Sequence, residues 1–226
     1  VPYAKPLSHV RDAVAIVRAL LCDGEVQYEG EAIRIENFDL WFRPYRADMP
    51  IYISALFPKM MRLCGEISDG VILTRSTLET AEKIKPLIAE GAVSAGRDPA
   101  KVDVTSLLPM AVADTLEAAR DIMRPGVAFY AGFFPRYNRL IAEYGFAEEA
   151  AAISKAWAQG DRAGAARLVT DAMVDATGIV GTSDDCRARI NEYRDAGLDL
   201  PIISPFARGP GAKAVFEAAI RACAPD

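Results

Sequence analysis

Two short stretches place hydroxyl and cationic side chains where a strand should hand over to a helix: Ser54-Ala55-Leu56-Phe57-Pro58 with Lys59, and Thr74-Arg75-Ser76. At such junctions free backbone N–H groups and the positive end of a helix dipole converge, so a phosphate or another anion is the ligand this chemistry favours. If the two strands are neighbours, both loops can close on one phosphate, with Arg75 and Lys59 adding charge. The same residues suit ordinary helix capping, and spacing alone leaves that alternative open.

Other chemistry is scarce. The chain lacks G-x-S-x-G, H-E-x-x-H, G-x-x-x-x-G-K-[ST], and G-x-G-x-x-G after a strand, so it does not read as a hydrolase, an NTPase or a doubly wound dinucleotide enzyme. His9, the one histidine, falls on the polar side of a helix and is expected to be solvated. Cys22, Cys64, Cys186 and Cys223 are far apart with no C-x-x-C pair. They are expected to pack in a core in a reducing cytoplasm, with no metal site. Asp69 precedes a buried strand, where a turn or capping role suffices. Phe129, Tyr130, Phe133, Phe134 and Tyr137 can line a ring-binding pocket, but their helical spacing favours core packing.

The elements that must position these residues follow from periodicity. Val10, Ala13, Val14, Val17, Leu20 and Leu21 repeat at helical spacing up to Gly24, and 26–35, broken at Glu29-Gly30-Glu31, reads as a hairpin. From Pro50 short apolar strands alternate with longer helices, the mark of parallel βαβ units. Strands are predicted at 51–55, 71–74, 102–110 and 201–204. The first crossover helix starts with Pro58 at its first position and buries Met60, Leu63, Cys64 and Ile67; the second covers 78–94. The alanine-rich stretch 116–176 reads as several helices with turns at Gly132, Gly145 and Gly160. Thr182 with Asp185 caps a helix that Gly197 ends, and Gly209-Pro210-Gly211 opens a last helix over 212–222.

Composition sets the outer bounds. A chain of 226 residues, 51% hydrophobic and 25% charged, buries an ordinary core. A net charge of −5 without a basic block argues against nucleic acid, and no apolar run has membrane-span length. Neither nucleic acid nor a membrane is an expected partner.

Pro50-Ile51-Tyr52-Ile53-Ser54-Ala55-Leu56-Phe57-Pro58-Lys59, followed by Cys64-Gly65-Glu66-Ile67-Ser68-Asp69-Gly70-Val71-Ile72, resembles the "PIYIAA…P…AGEIADGVI" stretch of luciferase-like and F420-dependent oxidoreductases. Three further features agree: Val1-Pro2-Tyr3 with Lys5-Pro6-Leu7, the Gln27-Tyr28-Glu29-Gly30 hairpin, and Gly181-Thr182-Ser183-Asp184-Asp185 leading through Tyr193, Ala196 and Gly197. The resemblance spans almost the whole chain. It implies an α/β fold, a partial (β/α)8 barrel with strands matching the fifth to eighth of the family. The whole is expected to form a single luciferase-like domain over 1–226 that lacks the N-terminal part of the barrel and belongs to a protein roughly 100 residues longer.

The resemblance further implies flavin or deazaflavin chemistry: F420-dependent hydride transfer with a small organic substrate, or, as the alternative, an FMN-dependent monooxygenase. Carried over position by position, the cofactor residues are Ser54, Ala55, Leu56 and Phe57, with Thr74 opposite; no catalytic acid or base is assigned. Leu56-Phe57 stand where many relatives have glycines, and Cys64 where alanine is usual. An alternative of another class is a non-catalytic half barrel that self-associates, and homodimers are among the family's assemblies.

Overall fold

The computed structural model describes residues 4–206 and 211–224. The chain divides into two compact units, one of residues up to Ile72 with Lys83–Val104, the other of Leu73–Glu82 with the residues from Thr105 onward.

The first unit opens with helix α1 (Pro6–Asp23), Pro6 standing where a missing N–H costs nothing. Gly24 ends it in the left-handed region (φ 78°) and donates its N–H to the Leu20 carbonyl at 3.1 Å. Val14 and Ile16 are buried, whereas Ala13 and Val17 of the expected stripe are exposed. Strands β1 (Glu25–Glu29) and β2 (Arg34–Asp39) form the antiparallel hairpin. Its turn is strapped to α1 by Asp12, 3% exposed, whose carboxylate accepts the Tyr28 hydroxyl (2.9 Å) and the N–H groups of Ala32 (2.7 Å) and Ile33 (2.9 Å). Led by the Ala32 N–H, these donors hold the Asp12 pKa below the ordinary carboxylate value against the opposing effect of burial.

Strand β3 (Tyr52–Ser54) runs parallel to β4 (Gly70–Thr74), in register from Tyr52↔Gly70 to Ser54↔Ile72. Helix α2 (Pro58–Ile67) connects them and buries Met61, Leu63, Cys64 and Gly65. Met60 and Ile67, predicted inward, are only half-buried; the inward face is turned toward Met61. Helix α3 (Leu78–Ser94) has the predicted bounds. A Cβ on Gly65 would lie 2.9 Å from Ala92 N and 3.0 Å from the Ile88 carbonyl carbon, and one on Gly91 2.8 Å from the Arg62 carbonyl carbon. The two backbones therefore touch through glycine. Asp69 has the structural role expected of it: Oδ2 accepts from Arg18 (2.9 Å) and from the Ile51 N–H (2.8 Å). Arg97 ties α2 down through the carbonyls of Gly65 (2.6 Å) and Ser68 (2.7 Å).

In the second unit, β5 (Asp103–Val112, counted here from Thr105) carries strands on both edges. Leu107 accepts the Arg75 N–H and Ala113 donates to the Gly181 carbonyl, six residues apart and hence on one edge. Met110, three residues from each, accepts the Phe206 N–H on the other edge. Strand β6 (Ile179–Gly181) thus lies on the edge of β5 that faces the end of β4, and β7 (Leu200–Pro205) on the opposite edge, both parallel. The sequence reading missed β6, whose three residues are too few to show alternation.

The stretch after β5 is helical as predicted: α4 (Leu116–Phe133), α5 (Pro135–Ile141), a π turn at Ala142–Phe146, α6 (Ala147–Ala158), α7 (Arg162–Arg167) and α8 (Asp171–Thr177). Its core joins Met123, Val127, Ala128 and Ala131 of α4 to Ile141, Ile153, Val169, Met173 and Val174. Gly145 (φ 98°) and Gly160 (φ 81°) turn the chain; Gly132 does not, being inside α4, where a Cβ would meet Trp157 Cγ at 2.6 Å. Helix α9 (Ser183–Asp195) starts in a reciprocal capping box, Thr182 Oγ1 accepting from Asp185 N (3.3 Å) and Asp185 Oδ2 from Thr182 N (2.9 Å). Gly197 follows in the left-handed region (φ 112°), and α10 (Ala212–Cys223) closes the order. Gly209 and Pro210, like residues 1–3, lie outside the described residues.

Candidate cofactor site

The first candidate segment sits at the carboxyl end of β3. Ser54 ends the strand with its side chain exposed, and Ala55, 2% exposed, donates its N–H to the Ile72 carbonyl at 3.1 Å. Leu56 and Phe57 are half-buried. Phe57 caps α2 with extended backbone (φ −128°, ψ 154°), and its carbonyl accepts from Met60 (3.0 Å) and Met61 (3.2 Å). No left-handed conformation is imposed there, so leucine and phenylalanine are accommodated without backbone strain. The positive end of α2 lies at this loop.

Thr74 ends β4 and is half-buried, in the second unit. It is two residues beyond Ile72, the register partner of Ser54, along one continuous strand. Arg75 follows with a left-handed backbone (φ 54°), its N–H on Leu107 O at 3.3 Å. Its side chain is 2% exposed, with the guanidinium carbon 4.1 Å from the Tyr130 ring centroid and both Nε and Nη1 buried without a partner. Burial pushes its pKa down to about 10. Ser76 is fixed on both sides: its hydroxyl bonds the Ser106 hydroxyl (2.7 Å) and its carbonyl accepts the Tyr193 hydroxyl (2.7 Å). Sequence reasoning placed Arg75 at the loop but missed its burial and the role of Tyr193, which bonds Ser76 from 117 residues away. The only local signal was a charged residue at the end of an apolar strand.

Three expectations need correction. The aromatic residues are not core: Phe133 is 57% exposed, Phe129, Tyr130, Phe134 and Tyr137 are half-buried, and the rings pack against one another at centroid distances of 4.8–5.9 Å. The core face of α4 is made by its small and aliphatic residues instead. His9 is half-buried with a shielded, unpartnered Nδ1, rather than solvated. Of the cysteines, Cys64 and Cys186 are buried, Cys223 is half-buried and Cys22 is exposed. Among the described residues no cluster of His, Cys, Asp or Glu can hold a metal, and no helix is long and apolar enough to cross a membrane.

The model of the luciferase-like monooxygenase family matches residues 1–200. The chain belongs to this family. A 5,10-methylenetetrahydromethanopterin reductase of Archaeoglobus fulgidus is 34% identical over 218 residues, 94% of this luciferase-like chain and 64% of the relative. The enzyme of the same name from Methanolobus tindarius is 36% identical over 200 residues, 88% of the chain and 60% of the relative. Among solved structures, the coenzyme F420 dependent tetrahydromethanopterin reductase from Methanopyrus kandleri superposes with a TM-score of 0.84 at 28% identity, covering 96% of this chain and 62% of that one. The luciferase-like chain therefore spans about three fifths of the length of these relatives, and its parallel strands with helical crossovers form part of their α/β barrel fold.

In the first unit, an exposed serine followed by a helix N-terminus at the end of β3 is chemistry that suits an anionic cofactor tail. In the second unit, the end of β4 carries the hydroxyl of Thr74.

Proposed function

We propose that this chain supplies part of a deazaflavin site, Ser54, Ala55, Leu56 and Phe57 with Thr74, to an F420-dependent oxidoreductase acting on a small organic substrate. The observation that carries this reading is the carboxyl end of β3, where the exposed Ser54 is followed four residues on by the amino end of α2. The name of the solved reductase from Methanopyrus kandleri, which is F420 dependent, supports the choice of F420. Bound there, the cofactor supplies the carbon that gives or takes the hydride. The chain's own part is to bind the anionic tail, orient the ring and exclude water.

The family's description as monooxygenases favours a second reading with FMN in the same place. A small-molecule substrate follows from either; a homodimer and a cytoplasmic setting complete the proposal. Fluorescence-monitored titration with F420 and, separately, FMN tests it. Saturable F420 binding that Ser54→Pro or Thr74→Ala weakens is the expected result. FMN binding alone would replace the cofactor, and a folded, cofactor-indifferent dimer would favour the self-associating half barrel.

A further inference from the structure

Arg75 is burdened twice. Its backbone occupies the left-handed region, which disfavours residues other than glycine, asparagine and aspartate. Its guanidinium is almost wholly buried, yet Nε and Nη1 bond nothing and no carboxylate among the described residues pairs with it. Arg120 and Arg124 of the same unit, by contrast, are matched to Asp171, Asp175 and Asp121.

What surrounds Arg75 is neutral: the Tyr130 ring beneath it, Tyr137 nearby, and the next residue, Ser76, clamped by Ser106 and Tyr193. A buried cation with unmet donors is costly, and an apolar side chain of equal length would fill the space at lower cost. The planar donor fork of arginine is suited to bidentate capture of a carboxylate or phosphate, and the aromatic face holds the guanidinium when no such group is present.

We propose that Arg75 is a substrate-specificity residue that captures an anionic group, carboxylate or phosphate, of the small organic substrate, its guanidinium swinging off the Tyr130 ring to do so. This rests on the oxidoreductase reading above. The cofactor tail is assigned to Ser54–Phe57 and Thr74, so the ligand of Arg75 is a second anion.

The test is NMR of arginine Nε–Hε resonances in the 226-residue chain, titrated with inorganic phosphate and with acetate, before and after saturation with F420. The Arg75 signal, identified by its loss in Arg75→Met, should shift saturably with either anion, and should still do so with F420 bound. Arg75→Lys keeps the charge without the fork and should weaken the response about tenfold at another site reporter such as the Tyr130 ring. Arg75→Met should abolish that response and raise the thermal midpoint, because an unpaired buried charge is gone; a lowered midpoint with no anion response in the wild-type chain would make Arg75 structural and overturn the proposal. Loss of the phosphate response once F420 is bound would assign Arg75 to the cofactor and overturn the substrate role. Phosphate silence with F420 bound normally would sink this inference alone, whereas an intact phosphate response without F420 binding would sink the oxidoreductase reading alone.

Discussion

Replacing Gly65 by alanine should destabilise the first unit although alanine is the better helix former. The new Cβ would stand 2.9 Å from Ala92 N and 3.0 Å from the Ile88 carbonyl carbon, where ordinary contacts begin at 3.4 Å. These are backbone atoms and cannot rotate away, so α2 and α3 must separate by at least several tenths of an ångström. Overpacking of this kind costs about 3 kcal/mol at the upper end of its usual range. The intrinsic preference for alanine returns about 1 kcal/mol, leaving a net loss of about 2 kcal/mol. Urea unfolding followed by circular dichroism should show a lower midpoint at unchanged slope. Gly91→Ala presses on Arg62 across the same contact and should cost a similar amount. Once the helices have parted, one separation relieves both clashes, so the double variant should lose less than the sum. Because α2 begins directly after Ser54–Phe57, F420 binding should weaken in parallel. A stabilised Gly65→Ala variant, by about the 1 kcal/mol of propensity alone, would refute the close helix contact.

Other outcomes follow from the same contacts. Cys64, Cys186 and Tyr193 all have pKa values pushed up to about 12 by burial. The fold favours their protonated forms, so this contribution is complete below about pH 9, the unfolded thiol range, and is lost as pH rises toward 12; alkaline unfolding curves should steepen over that window. With a disulfide-forming colour reagent Cys22 should react fast, Cys223 slowly, and Cys64 and Cys186 only on unfolding. Asp12 titrates below the usual carboxylate value, so its stabilisation is present above that value and lost as pH falls through it. Asp12→Asn should reduce this acid sensitivity and speed hydrogen exchange at the Ala32 and Ile33 amides; unchanged exchange would contradict the strap between α1 and the hairpin.

How far the fold was legible depended on how local each signal was. The span of α3, the left-handed Gly24, Gly145, Gly160 and Gly197, and the Thr182–Asp185 box are set by neighbours within one or two turns, and periodicity or capping chemistry announces them. Gly132 was misread because its reason is Trp157, a residue from another helix that needs the missing Cβ space. The aromatic run on α4 was misread as core because helical spacing shows that residues share a face, not what covers it. At the site, Ser54 and Thr74 were readable as strand ends. Arg75 was readable as a charge but not as a buried one, since its setting is assembled from Leu107, Tyr130 and Tyr193 across long separations.

The central claim is that the ends of β3 and β4 carry a deazaflavin cradle, and F420 titration of the folded 226-residue chain, with FMN alongside, addresses it most directly. The account predicts saturable F420 binding that Thr74→Ala weakens, with FMN bound less tightly. A folded chain that binds neither cofactor, or binds F420 equally well after Thr74→Ala and Ser54→Pro, would contradict it.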